Sequence, residues 1–100
     1  MMYEVYRAIV PGYVIRKDEN LLKKFRRKRN AVLFAQTKID ELLRFEYSQR
    51  PLISPTELYA RFCNFSRAPF IDGTAFDACS YARTRSFDIV QEMTEGSLHG

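Results

Sequence analysis

The chain opens on a run rich in β-branched and aromatic residues, Tyr3-Glu-Val-Tyr-Arg-Ala-Ile-Val10. It breaks at Pro11-Gly12 and resumes the same character at Tyr13-Val-Ile15. Such a pattern around a Pro-Gly turn predicts two short strands joined as a hairpin. Val5, Tyr6 and Ile9 also share one helical face, so a short helix over 3–9 competes. A lone hairpin is marginal in water and would have to pack on helices or pair with a third strand.

From Asp18 to about Gln49 there is neither Gly nor Pro, and Pro51 forces an end shortly beyond. With Asp18 or Asn20 as cap, this stretch predicts one long helix. Phe25, Val32 and Ile39 recur every seven residues, with Leu21, Ala35 and Leu42 on companion positions and Lys28 interrupting. The spacing predicts a heptad-like seam. Residues Ala31-Val-Leu-Phe-Ala35 are apolar on every side, which predicts burial all round. Leu33 and Phe34 fall off the seam and need a second neighbour, either the rest of the domain or a partner chain.

Ser54-Pro-Thr-Glu57 carries the signals of a helix start: a capping serine, proline at the first position and an acid that can close a capping box. Leu58, Tyr59, Phe62 and Cys63 follow as its apolar stripe. Asn64 to Gly73, with Pro69, reads as a loop. A third helix is expected from near Thr74, capped by Asp72 or Thr74, with Ala75, Phe76, Cys79 and Ala82 facing inward. Whether 86–93 continues as helix or forms a strand through Phe87–Gln91 stays open, and 94–100 reads as a frayed tail. The expected fold is therefore mainly α: a small three-helix domain with one long helix (about 18–49) and a short N-terminal β-hairpin. One hundred residues hold a single domain over 1–100.

Charge changes this picture because it is concentrated. Between residues 16 and 30 lie Arg16, Lys17, Lys23, Lys24, Arg26, Arg27, Lys28 and Arg29, against Asp18 and Glu19 alone. The whole chain is only +4, so the remainder is net acidic. Like charges at helical spacing destabilise a helix, and cations near its N-terminus oppose the macrodipole. A polyanion relieves both penalties, and neutralising phosphates releases counterions. Phe25, inside the run, reads as a core anchor because it belongs to the seam.

The string Ile53-Ser-Pro-Thr-Glu-Leu-Tyr-Ala-Arg-Phe-Cys63, followed by Pro69 and Phe76, is similar in spacing to a known module. It resembles the helix–turn–helix of the winged-helix domain that closes phage and poxvirus-type primase–helicases. Most matching positions are apolar, so the resemblance speaks to fold more than to function. It departs from the pattern at Asp72 and Asp77, where a recognition helix is usually basic or polar.

Catalytic constellations are missing from the sequence. His99 stands alone next to the C-terminus, no Cys-x-x-Cys pair exists, and each of the four glycines is isolated. No Ser/His/Asp set, metal site or phosphate loop is therefore expected, and no cofactor. Asp40, Glu41 and Glu46 have Lys38 and Arg44 close by and read as ion-pair partners. Cys63 and Cys79 read as two buried thiols of a cytoplasmic protein, with a disulfide as the alternative. No apolar run approaches the roughly 18 residues of a membrane span, so no membrane partner is expected.

Two functional expectations from different classes follow. In the first, the chain is a small non-enzymatic, nucleic-acid-associated and regulatory protein that contacts phosphates through Arg16, Lys17, Lys23, Lys24, Arg26, Arg27, Lys28 and Arg29. In the second, it is a helical adaptor, inhibitor or subunit. That module would dock on a partner protein (an acidic one would suit the charges) or form a homodimer through Phe25, Val32, Leu33, Phe34, Ile39 and Leu42.

Overall fold

A computed structural model describes the backbone of residues 2–99 and the surroundings of side chains to Glu95. The elements follow in the order β1 (Tyr3–Arg7), a 3-10 turn (Asp18–Asn20), β2 (Leu21–Phe25), α1 (Lys28–Gln49), α2 (Pro55–Phe65), β3 (Pro69–Ile71) and α3 (Ala78–His99). The chain is mainly α, with three helices and a small antiparallel sheet of order β2-β1-β3.

The N-terminal strand forms, but its partners differ from the hairpin expected of it. β1 pairs with β2, placing Tyr3 opposite Phe25 and Val5 opposite Lys23, and with β3, placing Val5 opposite Ile71. Pro11-Gly12 does make a tight turn, with Gly12 at φ +78° and the Tyr13 amide donating to the Val10 carbonyl at 2.9 Å. Proline followed by a positive-φ glycine suits the two central positions of a type II turn. Beyond the single Val10–Tyr13 bridge, however, 13–15 adds no strand. A central strand flanked on both sides supplies the third strand that a bare hairpin lacks.

The long helix begins at Lys28, not near residue 18. Leu21–Phe25 leaves the helical reading because strand alternation brings Leu21, Lys23 and Phe25 opposite Tyr6, Val5 and Tyr3 of β1. A helix through this run would stack six cations at helical spacing, whereas a strand sends successive lysines to opposite faces. Asp18 and Asn20, expected as helix caps, lie in the 3-10 turn, where the Asn20 side-chain amide donates to the Ile15 carbonyl at 3.1 Å.

α1 is the spine of the molecule, and its buried positions step by four: Ala31, Ala35, Ile39 and Leu43. That row replaces the heptad seam. Its first half packs on the sheet, where Ala31 and Ala35 meet Val5 and Ile71. Its second half packs on the other helices, where Ile39 and Leu43 meet Ile53, Leu58, Phe62, Ala82 and Ile89. Residues 31–35 are therefore not buried all round: Leu33 is 52% exposed, while Val32 and Phe34 are half-buried against the sheet-side cluster.

Ser54 caps α2 as expected, its Oγ accepting from the Glu57 amide at 3.1 Å. α2 and α3 are separated by β3 rather than by a tight turn, which removes the helix–turn–helix arrangement. Pro69 opens an edge strand, a position where proline costs no ladder bond on its outer side. The cap of α3 is Asp77, whose Oδ1 accepts from the Cys79 and Ser80 amides at 3.0 and 3.3 Å. Ala75 is exposed ahead of that helix, Phe76 is half-buried, and Ala82 is buried as expected. Residues 86–93 are helical, and the backbone of 94–99 continues α3.

Candidate nucleic-acid interface

The structure divides the eight cations into groups set along β2. Arg16 and Lys17 precede its start, Lys23 and Lys24 lie on it, and Arg26, Arg27, Lys28 and Arg29 follow its end. All eight are exposed. A five-residue strand spans roughly 17 Å, so Arg16 and Lys17 are set apart from the Arg26–Arg29 group.

Not all of these charges are available. Arg16 pairs with Asp72 at 3.3 Å and lies over the Phe70 ring at 5.3 Å. Lys23 lies over the rings of Phe25 and Phe34, at 5.4 and 5.9 Å. Lys17, Lys24, Arg26, Arg27, Lys28 and Arg29 have no ion pair or ring contact among the described residues. Glu4, the cross-strand neighbour of Lys24, is engaged instead by the Tyr6 hydroxyl. That hydrogen bond to a carboxylate pushes the Tyr6 pKa up to about 12.

Five of these cations, Lys24, Arg26, Arg27, Lys28 and Arg29, lie between the end of β2 and the first turn of α1. Arg27 occupies the cap position in an extended conformation, no side chain caps the helix, and its first turn contains no acid. The opening amides of any helix lack intrahelical partners and carry a partial positive charge. Backbone and side chains therefore present one sign of charge together. Phe25 is fixed beside this surface by the Phe34 ring, with centroids 5.3 Å apart, and is half-buried as a core anchor.

The acids of α1 lie in its second half. Asp40 receives Arg85, Glu46 receives Arg61 at 2.9 Å, and Glu41 receives Lys38 at 3.6 Å. These carboxylates are ion-pair partners, although Arg44 turns to Glu92 of α3 at 2.8 Å. Among the described residues, no group of three or more His, Cys, Asp and Glu side chains is arranged to hold a metal ion. No helix among them is long and apolar enough to cross a membrane.

Of the residues expected at a protein interface, Ile39 is fully buried in the core, and Phe25, Val32 and Phe34 pack on the sheet-side cluster. Leu33 remains outward-facing. Leu42 lines a groove of about 490 Å³ together with Leu22, Phe45, Phe65 and Pro69. Phe45 and Phe65, at 62% and 65% exposed, were not singled out by the sequence pattern. The helical stripe Lys38, Leu42, Phe45 was the available signal for one wall of that groove. The cysteines are free thiols, as expected, but they are not both buried: Cys63 is half-buried and Cys79 is exposed.

Compared with family models, with curated proteins and with solved structures, the chain matches none.

Proposed function

We propose that this chain is a small, non-enzymatic, nucleic-acid-associated protein with a regulatory role, gripping phosphates at the β2–α1 junction. The observation that supports this reading is the uncapped start of α1, where Lys24, Arg26, Arg27, Lys28 and Arg29 have no acidic partner among the described residues. Phosphate oxygens accept hydrogen bonds from helix-opening amides and from arginine forks alike. A bound backbone would thus act as the cap that α1 lacks. Arg16 and Lys23, held by Asp72 and by aromatic rings, flank the surface and do not form its centre.

Contacts of this kind confer affinity without reading bases. Titration of mixed-sequence DNA and RNA fragments tests the reading, with the triple charge reversal of Arg26, Arg27 and Arg29 as comparison. Binding at low salt that the reversal abolishes supports it; equal binding by the reversed protein sinks it.

A second reading, docking on a partner protein, is favoured by the groove between Leu42, Phe45 and Phe65. Replacing Phe45 and Phe65 by polar residues separates the two, since both rings are more exposed than buried and lie outside the basic surface.

A further inference from the structure

Cys63, in the last turns of α2, and Cys79, in the first turn of α3, bring their sulfurs to 3.9 Å. Neither thiol is bonded to another residue covalently. Packing of α2 on α3 holds the two sulfurs at this distance. Leu58 and Phe62 meet Ala82 and Ile89 in the core, and Arg83 of α3 lies over the Tyr59 ring of α2 at 5.2 Å. The neighbouring Cys63 thiol is the main reason that the Tyr59 hydroxyl pKa lies above its ordinary value. Cys79 is the outer of the two and borders a second cleft, about 270 Å³, lined by Ala8, Gly12, Val14, Phe70 and Phe76.

We propose that Cys63 and Cys79 form an oxidation site, a dithiol that a low-molecular-weight disulfide such as oxidised glutathione converts to an intramolecular disulfide. The cleft gives the reagent access to Cys79. The Cys79 thiolate attacks one sulfur of the oxidised glutathione, breaking its S–S bond and releasing one glutathione thiolate. Cys63, after losing its proton to solvent, attacks the Cys79 sulfur of the mixed disulfide and expels the second glutathione. Two electrons pass from the protein dithiol to the reagent, and the two released thiolates take up the two protons. An S–S bond is about 2 Å long, so side-chain rotation covers most of the remaining approach. Burial and the neighbouring thiol hold the Cys79 pKa above its ordinary value, so exchange proceeds through a minor thiolate fraction.

The bond would fasten the end of α2 to the start of α3 and close the segment between them, which carries β3. Locking a loop of this length raises the melting temperature by roughly 10 °C in a domain of this size. The test equilibrates the full reduced chain with oxidised glutathione, then counts free thiols by alkylation and mass, and records a melting curve. The expected product has lost two hydrogens, carries no adduct, is not a covalent dimer and melts higher. The C63S variant should stop with one glutathione on Cys79. Two thiols still open to alkylation, a glutathione adduct that persists in the wild-type chain, or a disulfide-linked dimer would each overturn the proposal. An unreacted C63S variant would overturn Cys79 as the point of entry.

Discussion

Arg85 of α3 grips Asp40 of α1 through both carboxylate oxygens, with Nε–Oδ1 and Nη2–Oδ2 each at 3.0 Å. The Tyr81 hydroxyl donates to the same Oδ1 at 3.2 Å, and Arg85 also reaches Asp88 at 3.3 Å. The hydrogen bond to Asp40 is the main reason that the guanidinium holds its proton more tightly than usual. Arg61–Glu46 and Arg44–Glu92 add further ties from α1 to α2 and α3. The C-terminal half of α1 is thus neutralised by its neighbours, while its N-terminal end is not.

The clamp should be worth more than an exposed ion pair, because both side chains are mostly buried, at 22% and 26% exposure, and the geometry is bidentate. Asp40→Asn is expected to cost about 1–2 kcal/mol in urea unfolding, and Arg85→Lys somewhat less. Loss of stability in both variants with no change in nucleic-acid binding would place the clamp in folding alone.

The start of α1 sets stability against binding. Arg27→Asp supplies the missing cap and a favourable charge, so it should stabilise the protein by about 1 kcal/mol. The same change removes one of the cations proposed to contact phosphate and should weaken binding. A variant that is both more stable and a tighter binder would contradict the role assigned to this helix end.

The α3 cap gives a pH dependence of known sign. Hydrogen bonds from the Ser80 hydroxyl and amide lower the Asp77 pKa below its usual value. A depressed folded pKa means that the cap contributes fully above the ordinary carboxylate range and fades as pH falls through the lowered value. Asp77→Ala should therefore lose stability at neutral pH, with the gap to the parent protein closing in acid. A gap that widens as pH falls would show that the charge is not what caps α3.

Exposed and buried apolar residues on α1 should part company. Ile39→Ala removes a fully buried side chain and should cost about 2–5 kcal/mol. Leu33→Gln alters a residue that is 52% exposed and should stay within about 0.5 kcal/mol of the parent in thermal or urea unfolding. A change in oligomeric state with Leu33→Gln, read by light scattering, would instead identify a contact between copies.

Local signals made much of the fold legible. Ser54-Pro55 marked α2 to the residue, the Pro11-Gly12 turn formed, and the mainly helical class followed from uninterrupted helical composition. The misplaced start of α1 has a tertiary cause. Nothing in Leu21-Leu-Lys-Lys-Phe25 forbids a helix, and only pairing with β1 turns it into a strand. β3 was hidden for the same reason: Pro69-Phe-Ile71 is too short to signal a strand without Val5 and Tyr6 beside it. Charge concentration was fully visible in sequence. Its division into a paired flank at Arg16 and an unpaired group at the helix start depended on Asp72 and on where β2 ends.

The most direct test of phosphate contact at the β2–α1 junction is the salt dependence of binding to a mixed-sequence duplex, measured for the parent chain and for the Arg26, Arg27 and Arg29 charge reversal. Five contacts from Lys24 to Arg29 predict that log affinity falls against log salt with a slope of about −4.5, and that the reversal flattens it. No binding at low salt, or binding with a shallow slope that the reversal leaves unchanged, would contradict the account.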